Sequence, residues 1–169
     1  MTQHSHGSRA HSADRTQRSH RTPWETDTLS GNQAFEREEF EKASVFYSSA
    51  LHHARLAVAE AWNGRSGVAQ MAAAIMVIST SNAARNALAS DRPELIVQEF
   101  RAAIEIFLQA LESTRAHEAL QEACLQHLPK LISNIMTINS EMETSTPELI
   151  ELAARGQTAA MQHWRSSAR

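Results

Sequence analysis

Apolar side chains return every three or four positions from Phe40 onward. Phe40, Ala43, Tyr47, Ala50, Ala54, Val58 and Ala61 form one stripe, the spacing of a core-facing helix, and no proline interrupts it before Trp62. Its alanines allow a neighbouring helix to approach closely. A shorter helix precedes it, capped by a side-chain oxygen of Asp27 or Thr28 and running to about Glu38. Asn63, Gly64, Arg65, Ser66 and Gly67 supply the left-handed conformations that end a helix and make a loop. A third helix is expected over Val68 to Ala89. Its first half, VAQMAAAIMVI, is apolar almost all round, so it needs neighbours on several sides and should be the most buried element. Ser90 or Asp91 caps a fourth helix starting at Pro93, whose missing N–H costs nothing in the first turn. Leu95, Ile96, Phe100, Ala103, Ile104, Phe107, Leu108 and Leu111 give that helix a broad apolar face. Leu120, Cys124, Leu128, Leu131, Ile135 and Ile138 define a fifth, from about His117 to Asn139; Pro129 inside it predicts a kink or a division into two shorter helices. Ser145, Thr146, Pro147 and Glu148 start a last helix through Leu149, Ala153, Ala160 and Trp164, which Gly156 weakens by ~1 kcal/mol relative to alanine.

The expected fold is therefore all-α: about six helices in antiparallel hairpins, with a first hairpin over 27–62, a second over 68–115 and capping helices over 117–165. A stack of hairpins ends on a helix with one polar face, because its last apolar surface otherwise meets water. A length of 169 residues suits one such domain. Residues 1–26 are rich in Ser, Thr, His, Arg and Gln and nearly empty of large apolar side chains before Trp24. Such a segment cannot offset the entropy of ordering it, and a disordered arm is expected, with Trp24 stapling it to the first helix. The net charge is −3, yet residues 1–22 carry Arg9, Arg15, Arg18 and Arg21 against Asp14. A basic arm before an acidic body suits a nucleic-acid contact, although without interleaved aromatics it reads more simply as a solvated tail. His4, His6, His11 and His20 are irregularly spaced, and no cysteine or carboxylate cluster completes a metal site with them.

Gly31 to Leu51 carries a recognisable signature. Gly31, Ala43, Tyr47 and Ala50 fall on the Gly, Ala, aromatic and Ala positions of the tetratricopeptide repeat, with Phe40 packing at the start of the second helix. Asp27, Ser30, Ala34 and Arg55 stand where that pattern has Trp, Leu, Tyr and Pro. Ala103, Phe107 and Ala110 repeat the Ala, aromatic, Ala spacing, so the chain from Asp27 to Leu111 resembles a divergent tetratricopeptide-type array, and the whole is similar to small bacterial proteins of that type with no assigned activity. The resemblance implies that the first helices of successive hairpins line a groove for a protein segment. It also implies that the asparagine after the signature glycine, here Asn32, faces a bound peptide. Asn82 looks like its counterpart in the second hairpin, and Arg85 beside it would supply charge. Thr28 stands where the carboxylate clamp of the family has its first lysine. Secretion chaperones built from such repeats bind unfolded segments of exported proteins. The alternative is that both amides bond neighbouring groups within the fold, as buried amides usually do.

Short motifs with a defined mechanism, such as HExxH, a Gly-rich phosphate loop, GxSxG or CxxC, are not present. His52 and His53 point about 100° apart on a helix and cannot share a metal. Glu36, Glu38, Glu39 and Glu41 read as a solvated turn. Cys124 sits on an apolar stripe, cannot form an intrachain disulfide and reads as an unreactive core residue, compatible with a reducing compartment. There is no apolar leader, and the run from Val68 to Ile78 is far short of the ~20 residues that span a bilayer. The expectation is a cytoplasmic adaptor or chaperone-like module that binds a protein segment, without catalytic residues, metal, cofactor or membrane contact. The alternative is a nucleic-acid-associated or regulatory factor using the basic N-terminal arm.

Overall fold

Thr22 opens the fold. In the computed structural model, which describes residues 22–64 and 66–167, the Glu25 N–H donates to the Thr22 hydroxyl at 3.2 Å and the Thr22 N–H donates to the Glu25 carboxylate at 2.7 Å. This reciprocal capping box, with Pro23 in the first turn, satisfies backbone donors that otherwise have no partner. Helix α1 therefore spans Pro23–Glu36, and the boundary expected at residue 27 is too late. Asp27 and Thr28 lie inside the helix, and Trp24 belongs to it rather than to the arm. The remainder of the arm, with its arginines and histidines, lies outside the described residues.

The other elements follow the apolar periods closely: α2 over Phe40–Trp62, a 3-10 turn at Ser66–Val68, α3 over Ala69–Ala89, α4 over Pro93–Glu112, α5 over Glu118–Glu141 and α6 over Pro147–Ser167. The described residues thus form an all-helical array of six α-helices. Pro129 lies within a single continuous α5. Helix α3 packs against α2, α4 and α5, which is why its first half is apolar on so many sides. Met76, Ile96, Phe100, Phe107, Leu120 and Leu131 are fully buried in the shared core, each contributing about 1.5–3 kcal/mol of transfer free energy. Ala54, Ala61, Ala72 and Ala73 are also fully enclosed, as the close approach of α2 and α3 requires. Gly156 is buried too: a Cβ there would lie 3.2–3.3 Å from Ile132 and Ile104 side-chain atoms. The glycine expected to weaken α6 is thus a point of close packing against both α4 and α5.

Two helix ends are built alike. At the end of α1 the Glu39 N–H donates to the Ala34 carbonyl and Glu38 takes a φ of 59°; at the end of α3 the Arg92 N–H donates to the Ala87 carbonyl and Asp91 takes a φ of 54°. Both are six-to-one helix stops with a left-handed residue where glycine is usual. Matching the turns pairs Ala34 with Ala87 and Phe40 with Pro93. Tyr47 then pairs with Phe100 and Asn32 with Arg85. The counterparts expected from the sequence, Phe107 by its spacing from Ala103 and Ala110 and Asn82 by its neighbours Ser81 and Ala83, are displaced by this pairing, because the turn sets the repeat.

The first helices of the hairpins run in the same direction. Trp24 near the start of α1 donates through Nε1 to the Ser79 hydroxyl at 2.8 Å, and Asn86, further along α3, donates to the Phe40 carbonyl beyond the end of α1 at 3.1 Å. The ends of α3 and α5 meet around one cavity, so α5 is parallel to both.

Candidate functional site

Helices α1, α3 and α5 share one open face, and α3 is its centre. Ser79 of α3 takes the Trp24 bond from α1, and the Asn134 amide of α5 donates to the Ser81 hydroxyl at 2.6 Å. At about 100° per residue, Met71, Ile78, Asn82 and Arg85 fall inside the arc between those two tethers. Met71, Ile78 and Arg85 are exposed and Asn82 is half-buried. Side chains bridge α1 to α3, with Ala83 packed on the small cluster of Ala34, Ala43 and Tyr47. The face is thus apolar at Met71 and Ile78 and polar toward Asn82 and Arg85.

Tyr47 reaches up between the helices from α2. Gly31 makes room for it: a Cβ there would lie 2.6 Å from the ring. The Tyr47 hydroxyl donates to the Asn32 Oδ1 at 2.9 Å. Burial, and secondarily the Glu36 carboxylate, push the Tyr47 phenol above its ordinary value, so it remains a donor at neutral pH. Asn32 is half-buried, about two turns beyond Trp24 on α1. The expectation that buried amides bond within the fold is therefore met on the oxygen of Asn32, while Asn82 and Arg85 make no side-chain hydrogen bond or ion pair among the described residues. Asn82 and Arg85 share the α3 stripe; Asn32 stands across the seam on α1.

Asp27 and Glu39, also singled out by sequence, have structural partners, whereas the Thr28 hydroxyl is buried without one. Asp27 accepts from the Ser49 hydroxyl at 2.6 Å and lies 3.5 Å from the His53 Nε2. Glu39 pairs with Lys42 at 2.9 Å, and that bond holds its carboxyl below the ordinary range. Cys124 is buried, and burial pushes its thiol up to about 12. The described residues contain no His, Cys, Asp and Glu group that could hold a metal ion, and no helix among them is long and apolar enough to cross a membrane. A cavity of about 790 Å³ opens at the loop end, with Leu88, Ile96 and Met142 as apolar walls and Asp91, Glu141 and Glu143 among its acidic lining. It lies apart from Asn32. Sequence reasoning missed Met71 and Ile78 as surface residues, although the all-round apolarity of their helix was the available signal.

Fold and face together define an all-α array of helical hairpins whose first helices run parallel and leave one mixed apolar and polar surface open. The chain belongs to the family described as protein of unknown function (DUF2753), which it matches over residues 22–167. No curated protein and no solved structure matches it.

Proposed function

We propose that the protein is an interaction module, an adaptor or chaperone of tetratricopeptide type, that holds a segment of another protein along the face of α1, α3 and α5. The observation that carries this reading is the solvent stripe of α3. Ile78 and Met71 offer apolar contact beside an Asn82 and an Arg85 that the described fold leaves without side-chain partners. Because Tyr47 donates to the Asn32 oxygen, the Asn32 NH₂ group is the part left to donate to a ligand. Arg85 also only donates. Such a surface suits a ligand rich in acceptors, such as the carbonyl edge of an extended segment or the last turn of a helix. The matched turns support a repeated hairpin, with Gly31 and Ala84, and Tyr47 and Phe100, in corresponding places.

The test is capture of a partner by the full chain and by Asn32→Ala combined with Asn82→Ala. Each lost hydrogen bond costs ~0.5–1.5 kcal/mol, so the pair should weaken capture about tenfold. A double variant that melts like the wild type and binds the partner fully would remove the amides from the reading surface. A titration with salt addresses the nucleic-acid alternative, since binding through phosphates falls steeply as salt rises.

A further inference from the structure

The last helix carries two apolar faces, of which the fold covers one. Leu149, Leu152 and Ala153 are buried, and α6 packs against α4 and α5. On the other side stand Ile150, Ala154, Met161 and Trp164, with the polar Gln157 at the middle of the row, at alternating intervals of four and three. That alternation keeps one seam turned toward a partner helix. Ile150 is 47% exposed, Met161 50% and Trp164 73%. A single exposed apolar residue is ordinary, but an aligned row marks an interaction surface.

Charge selects the occupant. Glu148 and Glu151 lie in the first part of α6, with Arg155 one turn after Glu151 and turned further from the seam, and Arg165 lies near its end. Glu151 and Arg165 both flank the seam, and neither makes an ion pair among the described residues. Thr158 is midway between them. Turning a second copy of the helix end for end about Thr158 sets each Glu151 beside an Arg165, and each Trp164 near Ile150 and Ala154. In a parallel pair that flank of each copy faces the opposite flank of the other, and Glu151 and Arg165 do not meet.

We propose that α6 is a self-association surface on which two copies of this chain pair antiparallel, each Trp164 seated at the Ile150 and Ala154 end of its partner and Glu151 paired with Arg165 at both ends. Every contact then occurs twice, as a two-fold interface demands. The seam is one helix wide, which places the dimer in the weak class that buries less than about 1,200 Å². The aromatic anchors supply most of the affinity and the charges fix orientation. The face of α1, α3 and α5 stays open in such a dimer.

Sedimentation equilibrium of the full chain over a concentration series tests this, with a reversible monomer–dimer equilibrium expected. Trp164→Ala should weaken the dimer about tenfold or more with helicity unchanged. Glu151→Arg and Arg165→Glu should each weaken it, whereas mixing those two variants should restore a heterodimer, and the double reversal in one chain should restore the homodimer. A chain that stays monomeric at every concentration overturns the proposal. So does a dimer that ignores Trp164→Ala, or one that the single charge reversals leave unchanged or strengthen.

Discussion

Gly31→Ala is the sharpest test of how the first hairpin closes. The added methyl would sit 2.6 and 2.7 Å from two ring carbons of Tyr47 and 3.2 Å from a third, where carbon atoms prefer about 3.5–4.0 Å. The ring cannot swing away freely, since it is buried and its hydroxyl is tied to Asn32. Overpacking of this kind costs about 1–3 kcal/mol, and the tethered ring argues for the upper end. Alanine returns about 1 kcal/mol through its better helix propensity. The net expectation is a loss of about 2 kcal/mol, or ~4–8 °C in melting temperature for a domain of this size. Urea unfolding followed by circular dichroism measures it. Combining Gly31→Ala with Tyr47→Leu should recover part of the loss, because the two changes share one contact. A midpoint at or above the wild-type value would refute the reasoning, since it would mean that glycine is not needed for the approach of α1 to α2.

Removing residues 1–26 should lower stability by about 2 kcal/mol, because it deletes the Thr22 and Glu25 capping box and the Trp24–Ser79 bond; an unchanged melting temperature would show that α1 does not depend on its first turn. Cys124 should resist alkylation at pH 8 in the native protein and react fully on unfolding, since burial raises its thiol to about 12. The sign follows from that rise. The protonated thiol favours the folded state, so its contribution is complete below the ordinary thiol value of about 8.5 and is lost as pH climbs toward 12. Rapid native labelling would contradict the burial.

The helices were legible because their apolar positions repeat at helical spacing, and the close approach of α2 was legible from Ala43, Tyr47 and Ala50. Three things were not. The start of α1 was obscured by the polar composition of residues 1–26, although Thr22, Pro23 and Glu25 already spell a helix start. The counterpart of Tyr47 was assigned by an alanine and aromatic spacing and that of Asn32 by the likeness of Ser81-Asn82-Ala83, whereas the repeated turn at Glu38 and Asp91 decides both. Glu38 and Asp91 carry no outward sign of a left-handed backbone, because glycine is the residue that normally announces it. The open face was half visible: Asn82 and Arg85 could be placed on one stripe from spacing alone, but the hold of Tyr47 on Asn32 depends on how two helices settle against each other.

The polar run Ser79, Thr80, Ser81 and Asn82 interrupts an alanine-rich helix, and its effect is one of indexing. Small apolar residues tolerate sliding and rotation, since one alanine fits a neighbour nearly as well as the next. Ser79 answers Trp24 on one flank and Ser81 answers Asn134 on the other, while Thr80 between them is wholly enclosed. A displacement of α3 by a single residue turns the helix by about 100° and breaks both hydrogen bonds together, burying a serine hydroxyl without a partner. The bonds thereby discriminate among packings that the alanines leave nearly equal in energy, and the open face keeps one arrangement of Ile78, Asn82 and Arg85 rather than several.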